Sequence, residues 1–169
     1  MNLICLLSLL RSHMRLRTAF RSQIFGDTMV LGEKLWEGTG KSMGPGFIKY
    51  VGIEGVVSMY TWMAQLKGFG CAEGMDCNVN VTGKAMQPPK GIGTAKDQGV
   101  LMTPTGDMAI VKGHDLSKMM EGKGSAVGLW SFMTMSEKLG WMNELIALVT
   151  IEALDPIWQE FKMVIYEWK

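Results

Sequence analysis

GVLMTPTGDMAIVK, residues 99–112, is the stretch whose reading decides the fold. Two apolar, β-prone runs flank Pro104-Thr105-Gly106. Proline presets one turn dihedral, and glycine supplies the positive φ that a tight reversal requires. Strand, turn and strand follow with no room for a helix, so 99–103 and 107–112 are predicted to form an antiparallel hairpin.

Working outward, the same texture recurs. Short apolar or alternating runs punctuated by glycine predict strands over 33–41, 55–66, 77–82, 129–134 and 161–168. Ser136-Glu137-Lys138-Leu139 begins like a capped helix, with Leu139, Met142, Ile146 and Ala153 able to share one face. The β-branched Val149-Thr150-Ile151 pulls the other way. The balance predicts a short helical turn over 136–143 and a strand over 144–153. Lys67-Gly68-Phe69-Gly70-Cys71-Ala72 is echoed by Lys90-Gly91-Ile92-Gly93-Thr94-Ala95. Glycines placed this way let strands bend, as barrel closure requires. The fold class expected is therefore mainly β: an antiparallel meander closing into a small, calycin-like barrel, with a two-sheet sandwich as the alternative.

The tail Ser136-Glu137-Lys138-Leu139-Gly140-Trp141-Met142-Asn143, with Glu152 and the ending Tyr166-Glu167-Trp168-Lys169, resembles a small, uncharacterised, largely archaeal prokaryotic family. Gln98 to Thr103 with Gly106-Asp107 is similar to that family's central hairpin, and the likeness spans about residues 33–169. The chain departs from the family in Met142 before Asn143 and in Tyr166 in place of a tryptophan. The resemblance implies a compact, mostly β domain and brings no activity.

Charge divides the chain. Residues 1–28 carry a net +3, with all four arginines between Arg11 and Arg21, whereas residues 29–169 carry a net −2. The apolar run from Leu3 to Leu10 precedes its arginines, the reverse of a signal peptide, and is too short to span a bilayer. Residues 1–28 are expected to be a basic segment outside the core or a start-site artefact, with residues 29–169 as one β domain. A slightly acidic domain without arginine argues against nucleic acid as a partner. Three cysteines, Cys5, Cys71 and Cys77, are an odd number without metal-site spacing, which fits free thiols and a cytoplasmic location.

WEGTGKSMGPG, residues 36–46, contains the end of a phosphate-binding loop. The first glycine of that motif is missing, because Leu35 stands there, and Gly44-Pro45-Gly46 opposes a following helix. A strand running into a turn is expected instead.

The remaining candidates for chemistry are scattered. Among the carboxylates Glu37, Glu54, Glu73, Glu144 and Glu152, a barrel interior could gather two, with Tyr60 or Asn143, into an acid–base site. Glu152 stands out because Ile151 and Ala153 flank it. His114 could act as a base, but adjacent strand residues face opposite ways, so His114-Asp115 is a poor pair. Sixteen methionines and six tryptophans offer core filling or the lining of a pliable apolar pocket, with Trp62, Met102, Trp130 and Asn143 as candidate ligand contacts. No metal site and no cofactor is expected. The expected function is binding of a small, largely apolar molecule in a Met/Trp-lined cavity. The alternatives are an isomerase or cyclase using a buried carboxylate, with catalytic candidates Glu152, Tyr60, Glu54 and His114, and a structural protein assembling as a homo-oligomer.

Overall fold

In the computed structural model, which describes residues 31–44, 46–120 and 123–169, the hairpin at 99–112 is part of a continuous meander. The strands are β1 (Leu31–Ser42), β2 (Phe47–Gly52), β3 (Gly55–Gly68), β4 (Cys77–Gln87), β5 (Gly93–Met102), β6 (Met108–Met120), β7 (Lys123–Met133), β8 (Ile146–Ala153) and β9 (Glu160–Trp168). Each of β3 to β8 pairs antiparallel with the next, and β1 pairs with both β9 and β3. That double pairing closes eight strands into a barrel, with β2 as an extra strand on β3. The expected barrel is therefore present, and the sandwich is not. The expectation for residues 1–28 lies outside the described residues.

Length explains the closure. β3 spans 14 residues. β2 pairs along its first part, Gly55 to Met59, and β1 along its last part, Trp62 to Gly68. The stretch read against a phosphate loop lies in β1 and the turn after it. Gly40 faces inward there, where a β-carbon would strike the Phe161 ring, and Lys41 turns outward to pair with Glu160 at 3.0 Å.

The barrel has one sealed end and one open end. Trp36 stacks on Trp141 at 5.7 Å between ring centroids and donates from Nε1 to Met75 O at 2.9 Å. Leu139 and Met142 are fully buried beside them. Their segment forms a 3-10 turn at Gly140–Glu144, a little later and tighter than the helical turn expected over 136–143. The glycine echo does not mark a repeated bend. Gly68 ends β3 at the sealed end, whereas Gly93 begins β5 at the opposite end.

The central hairpin turns as its residues dictate. Thr103 N donates to Asp107 O at 2.9 Å, and Gly106 takes a φ of 88°. Ser136 Oγ donates to Asp107 Oδ1 at 2.8 Å, tying the hairpin to the β7–β8 connection. On the outer wall, Lys34 and Lys162 hold Glu37 at 2.7 and 2.6 Å. Those two bonds bring the Glu37 carboxyl down to about 2.

Candidate functional site

Side chains alternate along a strand, so residues in phase with the core point inward. On β5 that phase contains Leu101, Gly99, Asp97 and Ala95; on β6 it contains Val111, Gly113, Asp115 and Ser117. Two aspartates are thereby carried into the barrel, where Asp97 is 5% and Asp115 6% exposed.

Glycines make the room. Tyr60, Gly83, Asp97, Gly113 and Trp130 are successive partners across β3 to β7, and Asp115 is partnered by Gly128. A β-carbon on Gly83 would strike the Tyr60 hydroxyl and Asp97 carboxyl; on Gly113 the Trp130 ring; on Gly128 the Asp115 carboxyl. Large polar or aromatic side chains thus alternate with bare backbone around the wall, as a narrow barrel demands.

The polar groups form one chain. Tyr60 Oη donates to Asp97 Oδ1 at 2.5 Å, and Trp130 Nε1 donates to Asp115 Oδ1 at 3.3 Å. Across β5 and β6, Asp97 stands opposite Gly113 and Asp115 opposite Ala95, so the two buried carboxyls are diagonal neighbours on the inner face. Asp97 Oδ2 is buried and receives no bond from any amide, hydroxyl or indole of the described residues. Two neighbouring buried carboxyls resist ionising together. Burial, then the hydrogen bond and charge of Asp97, push Asp115 up to about 8, with Trp130 opposing. Burial, with the Asp97 charge and hydrogen bond, also raises Tyr60 well above an ordinary phenol.

Above this chain lies a cavity of about 310 Å³ at the open end of the barrel. Tyr60 and Asp115 reach it from below, and its walls are mostly apolar: Trp62, Phe161, Ile151 and Trp158. Trp62 stacks on Trp130 at 5.9 Å and meets Phe161 edge-on at 5.2 Å. Trp158 closes the rim with a positive φ of 58°. Its turn is held by Asp155, which accepts from the backbone amides of Ile157, Gln159 and Glu160 at 2.9, 3.1 and 2.6 Å. Those bonds lower the Asp155 carboxyl. A wider groove of about 570 Å³ crosses the outside of β6 to β9 and carries Glu152 and Lys162. The interior cavity is the candidate site, because the buried polar groups converge there.

Of the residues singled out by sequence, Tyr60 and Trp62 line the cavity and Trp130 packs beneath it. The others lie elsewhere. Glu152 faces outward opposite Lys162. Glu54 is exposed in the β2–β3 turn, and His114 is exposed on the outer face of β6. Met102 ends β5 on the outer face, 41% exposed. Asn143 sits at the sealed end, accepting from Thr134 N at 2.8 Å and donating to Thr134 O at 3.2 Å. Of the methionines foreseen as lining, Met119 lines the cavity and accepts from Trp158 Nε1 at 3.4 Å, whereas Met59, Met63, Met86, Met108 and Met133 are exposed and Met142 and Met163 fill the core. Cys71 and Cys77 are free, and burial pushes the Cys77 thiol up to about 12. Asp97 and Asp115 are the residues that sequence reasoning passed over. Their signal is parity with Leu101 and Val111, visible once β5 and β6 are drawn at full length.

No family model matches the chain, and no curated protein matches it in sequence. Solved structures do match in fold. A protein of unknown function from Clostridium acetobutylicum superposes with a TM-score of 0.68 at 12% identity, over 81% of this chain and 98% of that one. A β-barrel-like protein from Acinetobacter baumannii gives 0.68 at 13%, over 82% and 95%. An enzyme from Penicillium herquei gives 0.57 at 20%, over 80% and 92%. The chain is thus similar in fold to bacterial β-barrel-like proteins of unknown function, and more distantly to one enzyme.

Proposed function

We propose that the barrel holds one small, largely apolar molecule in its open end. The apolar body lies against Trp62, Phe161, Ile151 and Trp158, and a single polar group meets Asp115 and Tyr60. One observation carries this reading: the cavity is mostly apolar, and the one buried charged group that lines it, Asp115, lies with Tyr60 at its floor, while Ser58, Gln87, Ser117 and Lys118 line it toward the mouth. Burial of apolar surface supplies affinity, and the floor orients the ligand. The likeness to an uncharacterised, largely archaeal family is part of the proposal and adds no activity to it. Free thiols at Cys71 and Cys77 support a reducing, cytoplasmic setting.

Native mass spectrometry of the full chain, purified from cell extract without added ligand, tests the reading. The wild type should carry a reproducible extra mass that leaves on denaturation. Ala126→Leu, which fills the cavity, should lack it. Identical spectra for the two proteins contradict the proposal.

A second reading, assembly of identical copies, has its own observation. Phe47, Ile48, Tyr50 and Val51 on β2 are 62–81% exposed, and no strand covers the other edge of β2 among the described residues. Uncovered apolar edges favour strand pairing between chains. Light scattering coupled to size exclusion should then show a dimer that Ile48→Lys disperses, and a wild-type monomer removes this reading.

A further inference from the structure

A ligand that needed only to be held would be served by a hydroxyl or an amide on the cavity floor. The barrel instead buries two carboxyls, Asp97 and Asp115, side by side on neighbouring strands, and none of the ion pairs among the described residues reaches either of them. Burying such a pair is expensive and asks for a use. We infer that the floor is a proton-transfer site and the protein an isomerase of unsaturated ketones, in which Asp115 lends a proton to the substrate carbonyl and takes one back from carbon. This rests on the binding reading above.

The groups present limit the chemistry. Among the described residues no three His, Cys, Asp or Glu side chains converge, and the floor offers no thiol or amine as a nucleophile. It offers one carboxylic acid, reachable from the cavity and lying beside a second buried carboxyl that the Tyr60 hydroxyl steadies. Lys118 lies at the rim, in the lining of the same cavity.

The step balances. The Asp115 O–H bond breaks and an O–H bond forms at the carbonyl oxygen, leaving the electron pair on Asp115. Positive charge develops on the carbonyl carbon, facing the aromatic surfaces of Trp62 and Phe161, which favour a cation. A C–H bond beside that carbon then breaks, its electrons form the carbon–carbon double bond of a dienol, and Asp115 recovers a proton, which it trades with solvent through the open end of the barrel. Asp115 next protonates the far end of the dienol, and the O–H proton returns to the carboxyl pair. The product is the conjugated isomer. The pair begins and ends with one proton, and no electron enters or leaves.

Charge also selects the substrate class. While Asp115 is deprotonated the floor holds two adjacent negative charges, which is tolerable only beside a cationic ligand. A ligand that carried the proton away would strand that dianion. Each proton lent must come back from the same molecule, so the net reaction is an isomerisation. Apolar walls and a single polar floor point to a compact ketone whose double bond lies one carbon away from conjugation.

The test uses the full chain with two probes, β-tetralone and the β,γ-unsaturated isomer of cyclohexenone, in heavy water. Quenching of tryptophan fluorescence reads binding. Deuterium entering carbon, followed by mass spectrometry, and the absorbance of the conjugated ketone read proton transfer. The wild type and His114→Gln, altered on the outer wall, should exchange alike. Asp115→Asn should quench equally and exchange roughly a hundredfold more slowly. Tyr60→Phe keeps Asp115 but removes the Asp97 partner, and should slow exchange by about tenfold. It carries the test if Asp115→Asn does not fold. Saturable quenching with exchange no faster than in the variants overturns the isomerase and leaves the binding reading standing. Absence of saturable quenching by both ketones overturns the binding reading, and the isomerase with it.

Discussion

Gly128 lies directly opposite Asp115 across the β6–β7 ladder, and the Asp115 carboxyl occupies the space a side chain on Gly128 would take. The acid and the gap that admits it come from neighbouring strands. Gly83 gives the same room to Tyr60 and Asp97.

That relationship makes Gly128→Ala a sharp test of the site's packing. The added methyl must push the Asp115 carboxyl aside, and overpacking of this kind costs about 1–3 kcal/mol. Gly140→Ala, where a β-carbon meets nothing within 4 Å, should change stability by less than about 0.5 kcal/mol. Urea unfolding of the two variants checks the contrast, and equal effects would place Asp115 elsewhere.

Tyr60→Phe removes the hydroxyl that donates to Asp97 Oδ1. A buried acceptor stripped of its donor destabilises a protein by about 1–3 kcal/mol. The loss should appear in urea unfolding at neutral pH. In the wild type, ultraviolet titration should find one tyrosine that fails to ionise at alkaline pH until the chain unfolds, and Tyr60→Phe should lose that delayed step.

Stability should depend on pH through Asp115. Its folded value lies at about 8, above the ordinary value of 3.8. Between those values the folded protein keeps a proton that the unfolded chain has released. Stability is therefore greatest at the acid end of this window and falls as pH rises to about 8. Asp115→Asn keeps a hydrogen-bond donor beside Asp97 and removes the titration. Thermal melts from pH 4 to 8 should show the decline flattened in this variant, with Tm at the alkaline end raised by more than about 5 °C. Parallel curves for the two proteins would contradict the shift.

The rim should control release. Asp155 fixes the turn that sets Trp158 over the cavity, accepting three backbone amides. Asp155→Ala should loosen that turn and speed ligand dissociation by about tenfold while leaving the floor intact. Stopped-flow fluorescence with β-tetralone reads the rate. An unchanged rate would mean that Trp158 does not gate the mouth.

The barrel was legible in the sequence wherever alternation and turn chemistry agreed. Pro104-Thr105-Gly106 fixed one hairpin, and Asn78-Val79-Asn80-Val81 alternated as a half-buried strand must. β2 was missed because its six residues are all apolar or glycine except Lys49 and show no period. The site was less legible for a related reason. Reading a strand only to Lys112 left His114 and Asp115 beyond its end, whereas β6 runs to Met120 and carries Asp115 in phase with Val111. Glu152 attracted notice through its apolar neighbours, yet those neighbours are the inward ones and Glu152 takes the outer face. Which aspartates meet depends on barrel closure and register across β3 to β7, relations that no local spacing contains.

The most direct measurement is a carbon-NMR titration of the aspartate carboxyl carbons in the full chain, with Asp115→Asn as the assignment control. One carboxyl absent from the variant should titrate at about 8, and saturation with an apolar ketone should move its shift. If every aspartate titrates in the ordinary carboxylate range and none responds to ketone, the buried proton-bearing floor does not exist and the account fails.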